Sequence, residues 1–366
     1  MRGAWILGVL AVTEIVAMGA IRPAAAATFA YVGNADSNEI VVFGLDVNTG
    51  AMTLLDKVPF AGIEKPGAST PMAVSPDKRV LFVGIRSQPF TVISYAIDPK
   101  TGKLAHLGNG PLADSMAYIA TDRSGKFLLS ASYGGNKIAV NPIDATGVVQ
   151  APSQVIPTGL NAHAIQADPS NRFVLATNLG SDVVLGFRFD AAAGQLTPNQ
   201  PPQTRVAEKS GPRHFVFHPN GKFVYLVHEL NGALIAFGYD ADNGQLHELQ
   251  QTTALPSGFE GKPWAADLHV TPDGRFLYAS ERTSSTLAGF RIDAATGKLE
   301  PIGSVPTEKQ PRGFAIDPSG HFLAAVGELS DSMTVYGIDQ ASGTLSKLAS
   351  YPVGKKPNWI EFVALP

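Results

Sequence analysis

Histidine, arginine and glutamate side chains recur in this sequence at fixed offsets from a repeated turn. The turns are marked by Pro76, Pro169, Pro219, Pro272 and Pro318, with Arg123 at the equivalent place. Six residues before each stand Thr70, Ala117, His163, Arg213, Ala266 and Arg312. Ten residues after stand Arg86, Tyr133, Leu179, Glu229, Arg282 and Glu328. Arginine is a fixed cation whose forked donors suit a carboxylate, a phosphate or a developing oxyanion. Histidine and glutamate can move protons. His163, Arg213, Glu229 and Arg282 are therefore the candidate catalytic set. Arg86, Tyr133, His214, His228, Asp267, Glu281 and Arg312 are candidate substrate-binding residues around the same mouth. The competing reading is Arg–Glu pairs that serve packing and solvation alone. The run of His163, Arg213, Glu229 and Arg282 across three consecutive units is harder to attribute to packing. His218 and His269, on strands beside Pro turns, read as structural.

The elements that must position these residues are strands. Seven Asp-to-Gly turns, Asp46–Gly50, Asp98–Gly102, Asp144–Gly147, Asp190–Gly194, Asp240–Gly244, Asp293–Gly297 and Asp339–Gly343, each close a short apolar run. Asp accepts from the backbone two residues on, and Gly takes the left-handed conformation that closes a hairpin. Their spacing of 46 to 53 residues is that of a four-stranded propeller blade. Each unit then reads as strand A, Pro turn, strand B, variable loop, strand C, Asp–Gly turn and strand D. The expected fold is all-β, a seven-bladed β-propeller. Tyr31-Val-Gly33 already reads as strand B, and Asn358–Val363 supplies the missing A strand from the other terminus. A blade built from both ends closes the ring and removes exposed sheet edges. Up–down connectivity places both kinds of turn on one face and the candidate residues on the other.

Composition excludes several functions. An apolar fraction of 45% supplies a core, and a net charge of −3 gives no basic footprint for nucleic acid. With no Cys there are no disulfides, thiolate nucleophiles or Cys-based zinc sites. No spacing suggests a metal. Asp240-Ala-Asp-Asn-Gly244 superficially resembles a calcium loop but occupies a repeat turn. Dinucleotide, Walker and Gly-x-Ser-x-Gly motifs are absent, so no cofactor is expected. Residues 1–27 read as a signal peptide: Arg2, an apolar stretch from Trp5 to Ala20 broken by Glu14, and small residues Ala24–Ala27. That leaves residues 28–366 as the propeller domain, periplasmic or secreted, a monomer or weak dimer with no membrane association after cleavage.

Tyr133-Gly-Gly135, His163–Pro169, Gly211-Pro-Arg-His-Phe-Val-Phe-His-Pro-Asn-Gly221, His228-Glu-Leu230, Leu268–Tyr278 and Glu281-Arg282 resemble the seven-bladed propeller lactonase family, of 6-phosphogluconolactonase and carboxy-cis,cis-muconate cyclase type. The resemblance spans about residues 28 to 365, and Gly-Pro-Arg-His followed by Glu229 is its most specific part. It implies a site of His163, Arg213, Glu229 and Arg282. The chain departs from the family where Asn161, His228 and Glu281 replace residues common on the substrate rim. The expected function is a carboxylic-ester hydrolase that opens a sugar or sugar-acid lactone, with Glu229 or His163 as base. The expected substrate is a small-molecule lactone or a carboxylate- or phosphate-bearing compound. The alternatives are a muconate-type cycloisomerase and a non-catalytic exported binding scaffold.

Overall fold

The computed structural model describes residues 27–65 and 67–366, with Met1 and Gly3. Apart from Met1, Gly3 and Ala27, the expected signal peptide lies outside the described residues. The 28 strands form seven four-stranded antiparallel sheets. The first blade joins the terminal strand Pro357–Leu365 to Ala27–Asn34, Glu39–Leu45 and Met52–Pro59. Ala27 pairs with Leu365 and Gly33 with Trp359. The fully buried Asn358 fastens this joint, its Oδ1 accepting from the Thr70 amide of blade two at 2.9 Å. The innermost A strands touch one another all the way round the axis.

The core is not one mass but seven apolar clusters, one between each pair of neighbouring blades. This follows from the strand pattern. B strands such as Phe173–Asn178 and Phe223–His228 are buried on both faces, while outer D strands such as Leu345–Pro352 are largely exposed. Stacked sheets can fill the space between them only with interdigitating side chains from both faces.

The Asp–Gly turns bind each blade to the one before it. In all seven the Gly amide donates to the Asp carbonyl at 2.7–3.0 Å, and Asp Oδ1 accepts the amide two residues on at 2.8–3.1 Å. The glycines have φ between 66° and 87°. Six of them sit against a Phe at or near the start of strand B of the preceding blade, so that a Cβ on Gly194 would stand 2.1 Å from the Phe127 ring. Gly147, the seventh, meets Val80 instead. The hydroxyls of Tyr31, Tyr225 and Tyr278 donate to the carbonyls of Gly102, Gly297 and Gly343 across the same seams. Gly is required twice over, by backbone and by contact.

Substituting Gly194→Ala should therefore cost about 2–4 kcal/mol in urea unfolding, combining left-handed strain with overpacking. Gly221→Ala, at φ 71° with no neighbour within 4 Å, should cost only the backbone part, about 1–2 kcal/mol. Equal losses would mean that the Gly–Phe contact holds nothing.

Candidate active site

The candidate residues are aimed by irregularities in the inner strands. Pairing of strands A and B shifts register between Ala162 and Ala164, Pro212 and Phe215, Ala265 and Leu268, and Pro311 and Gly313. The residues expelled from the ladder are His163, Arg213 with His214, Ala266 with Asp267, and Arg312. A bulge bends the strand and turns its extra side chains out of the alternation. Hydroxyls of the neighbouring B strands satisfy the freed backbone: Thr177 Oγ1 accepts the Ala164 amide at 3.0 Å and donates to the Arg213 carbonyl at 2.6 Å. Ser280 accepts the Asp267 amide at 3.1 Å.

At the mouth Glu229 joins two arginines. Its Oε2 accepts Nε of Arg213 and Nη2 of Arg282, both at 2.8 Å, and Oε1 has no hydrogen-bond partner among the described residues. Arg213, only 1% exposed, also donates to the Ala266 carbonyl. Arg282 donates to the carbonyls of Trp264 and Ala265, and its guanidinium lies 3.9 Å above the Trp264 ring. Across the mouth Arg312 meets Glu328 at 3.4 Å, and both Arg312 and Arg86 donate to Ser69 Oγ. Arg86 also donates to Ser115 Oγ, and no carboxylate among the described residues pairs with it. The site thus holds four guanidinium groups against two carboxylates.

That excess of positive charge tunes the groups beside it. Burial lowers Arg86 to about 10, helped by Arg312 and Arg213, and lowers Arg282 to about 9. Both stay cationic at neutral pH. Burial alone would raise the Glu229 carboxyl, but Arg213 and Arg282 outweigh it and hold it below its ordinary value. His163 is held neutral by burial and then by Arg213. Its Nδ1 is buried without a partner. Its ring lies 5.8 Å from Tyr133 and 5.1 Å from His214. The Tyr133 hydroxyl is pushed up by burial and by Glu229.

The other candidates divide. His214 and Asp267 lie at the bulges, one residue along from Arg213 and Ala266, where His214 Nδ1 meets Asp267 Oδ1 at 2.8 Å. His228 and Glu281, expected on the substrate rim, are fully buried away from it. His228 Nδ1 faces the Ala233 carbonyl at 3.3 Å. Glu281 accepts from the Trp264 amide and from Ser284, bracing the loops that carry Arg282. Alternation explains both: each is the last residue of a B strand, just before the mouth residue that opens the following turn, so it points the opposite way. His218 Nε2 donates to the Gly274 carbonyl at 2.8 Å and its Nδ1 accepts the Asn220 amide, as a structural residue would. His269 does not match that expectation. It reaches Asp267 Oδ2 at 3.2 Å and borders an axial cavity of about 210 Å³ with Tyr118, Trp359 and Glu361. Ser69, Ser115, Trp264, Trp359 and Glu361 escaped the sequence reading. Only the repeat register of Glu361, on an A strand, pointed inward. Among the described residues no cluster of three or more His, Asp or Glu could hold a metal.

Burial leaves a signature in stability. His214 and His228 are both lowered to about 4, mainly by desolvation, and His163 lies well below its usual value. Unfolding exposes them to take protons near pH 6.5, so their contribution is lost as pH falls below that value. Glu361 runs the other way: burial raises it to about 7, and its contribution grows as pH falls through that value. His269, raised by Asp267 against burial, also favours low pH. Three groups outweigh two, and stability at pH 5 should be about 2–3 kcal/mol below that at pH 7. In Glu361→Gln the loss should grow by about 2 kcal/mol. Urea unfolding at both pH values checks this, and a flat profile would rule out neutral buried histidines.

Known proteins share this architecture. The family described as "Lactonase, 7-bladed beta-propeller" matches residues 30–362. A 6-phosphogluconolactonase of Pectobacterium carotovorum subsp. carotovorum (strain PC1) is 41% identical over 287 residues, 78% of this chain and 84% of the relative. One of Yersinia pestis (strain Pestoides F) is 43% identical, covering 78% and 83%. Among solved structures, the periplasmic gluconolactonase PpgL of Pseudomonas aeruginosa superposes with a TM-score of 0.84 at 30% identity, over 93% of this chain and all of that one. On fold, repeat and sequence together, the chain belongs to the seven-bladed β-propeller lactonase family.

Proposed function

We propose that the protein hydrolyses a sugar lactone carrying an anionic substituent, carboxylate or phosphate, at the arginine-lined mouth. The observation that carries this reading is the cluster of Arg86, Arg213, Arg282 and Arg312 around an uncharged His163. Relatives named 6-phosphogluconolactonase and gluconolactonase support hydrolysis over cycloisomerisation or simple binding. His163 is the base. The arginines weaken both groups as bases, but the Glu229 carboxylate is committed to them through Oε2, whereas the neutral His163 imidazole has an uncommitted lone pair to offer. With Nδ1 buried, Nε2 is the nitrogen that takes the proton from water as it attacks the lactone carbonyl.

Arg213 and Arg282 donate to the oxygen that becomes negative in the tetrahedral intermediate. Preset donors of this kind each lower a barrier by about 3–4 kcal/mol. Glu229 holds the two arginines side by side and partly neutralises them. Arg86 and Arg312, which share Ser69, anchor the anionic arm. Trp264 keeps Arg282 flat over its ring at the rim. We further propose that residues 1–27 are a signal peptide and that residues 28–366 act in the periplasm. Similarity to the periplasmic gluconolactonase of Pseudomonas aeruginosa supports that location. No helix among the described residues is long and apolar enough to cross a membrane.

The test is hydrolysis of glucono-lactone with and without a 6-phosphate, corrected for spontaneous opening. His163→Asn should lower kcat by about 10²–10⁴-fold. Arg86→Met should lower kcat/KM at least about tenfold for the phosphorylated lactone, with little change for the neutral one. No turnover of any sugar lactone by the wild type would sink the assignment. Equal losses on both substrates would remove the anchoring role of Arg86.

A further inference from the structure

Arg213 and Arg282 are each held by bonds that leave one terminal nitrogen over. Arg282 gives Nε to the Trp264 carbonyl at 3.0 Å and Nη2 to Glu229 and the Ala265 carbonyl at 2.8 and 3.1 Å. Its Nη1 has no hydrogen-bond partner among the described residues. Arg213 gives Nε to Glu229 and Nη1 to the Ala266 carbonyl, which leaves Nη2 in the same condition. These two nitrogens are where a substrate oxygen can be met. Beside them stands one large apolar side chain that hydrolysis, as described above, uses only as a support. The Trp264 ring lies 3.9 Å from the Arg282 guanidinium yet keeps 37% exposure.

The backbone of Trp264 is fixed on both sides. Its amide donates to Glu281 Oε1 at 2.6 Å, and its carbonyl accepts the Arg282 amide at 3.2 Å as well as Nε. Glu281 is fully buried and accepts the Ser284 amide and hydroxyl through its other oxygen. The next residue, Ala265, opens the innermost strand of blade six. A single exposed apolar side chain on a surface needs no explanation. An indole stacked on a buried site arginine, with both of its backbone groups tied, is a preorganised surface. We propose that the open part of the Trp264 indole is the platform on which the lactone ring lies. Trp264 then selects cyclic substrates that present a face of C–H bonds, as sugar lactones do, over open-chain esters. This inference rests on the lactonase reading and names what that site prefers.

Geometry and polarity agree on this arrangement. The N–H bonds of a guanidinium point outward in its own plane. An oxygen bound at Nη1 of Arg282 therefore stays near that plane, at about the guanidinium's own height above the indole. That height, 3.9 Å, is also the contact distance at which a carbon atom rests on a ring. Two fused rings offer more area than one guanidinium covers. A lactone held by its carbonyl oxygen thus has its ring beside the guanidinium and over the remainder of the same indole face. The negative face of the indole attracts positive charge. Arg282 supplies it on one portion, and C–H bonds polarised by the sugar oxygens supply it on the other. An open-chain ester has no rigid face and must freeze its rotors to lie flat. Opening the lactone destroys the flat ring, so the hydroxy-acid product loses the platform and leaves more readily than the substrate.

The experiment measures kcat and KM for glucono-lactone in the full protein and its Trp264→Leu and Trp264→Phe variants. Inhibition by the corresponding lactam, a ring that is not opened, is compared with inhibition by open-chain gluconate. Leu keeps an apolar cover on Arg282 without a flat face, and Phe keeps one flat ring. The expected result is a KM and a lactam inhibition constant raised about tenfold in Trp264→Leu, and about two- to threefold in Trp264→Phe. Gluconate inhibition should change by less than about twofold in either. A lower kcat with unchanged KM and lactam affinity would mean that the indole serves Arg282 alone, and would overturn the platform. Equal weakening of lactam and gluconate would overturn it too. If the wild type opens no sugar lactone, tryptophan emission titrated with the lactam still decides. A change in emission that Trp264→Phe abolishes keeps the platform while the lactonase reading fails, and no change removes both.

Discussion

Four guanidinium groups can share one buried mouth only if the protein replaces the water they give up. Glu229 supplies a single oxygen to two of them, and Glu328 reaches a third. Most of the remaining solvation comes from the main chain: the carbonyls of Trp264, Ala265 and Ala266 turn toward Arg213 and Arg282. The Ala266 carbonyl lies where the ladder of blade six is broken between Ala265 and Leu268, while that of Trp264 takes the Arg282 backbone amide as well as its side chain. A regular strand would have spent the Ala266 carbonyl on its neighbour. The bulge therefore does two jobs, exposing an acceptor to the arginines above and swinging Asp267 toward the axis below. Arg86 receives only hydroxyls, and that incomplete solvation makes it the natural partner for an incoming anion.

Charge is also layered along the axis. Cations dominate one end, and carboxylates with histidines dominate the other. Such separation is costly inside a low-dielectric interior unless each layer is internally compensated. Here Glu229 and Glu328 temper the upper layer, and His269 and the Trp359 indole temper the lower. His163 sits at the boundary. Burial and the arginines keep it uncharged, so it can accept a proton but has little tendency to retain one.

The sequence carried the ring almost entirely, because periodic turns report local backbone demands. Asp and Gly at each turn state what the hairpin needs, and the truncated first unit implies its completion by Asn358–Val363. The mouth quartet was legible for a related reason: equal offsets from equal turns end at equal heights. What stayed hidden depends on register. A bulge at Pro212–Phe215 leaves no mark in residue type, so although His214 and Asp267 both read as mouth candidates, the bond between them, across 53 residues, had no local signal. His269 was set aside for its closeness to a Pro turn, yet the bulge upstream in its strand aims it at the channel. His228 and Glu281 were the converse case. Strand alternation would have placed them inside the blade, had it been weighed above their closeness to Glu229 and Arg282.

Closing the ring with a terminal strand also fixes where Ala27 and Leu365 stand. Ala27 lies opposite Leu365. Strand A runs from the mouth toward the turns, so both residues leave the ring on the turn face. A fusion partner or surface linker added after Pro366 therefore hangs behind the disc. Immobilised through its C-terminus, the molecule presents its mouth outward like a dish on a stalk. Substrate access is kept, and any crowding from the attachment falls on the lower opening of the axis.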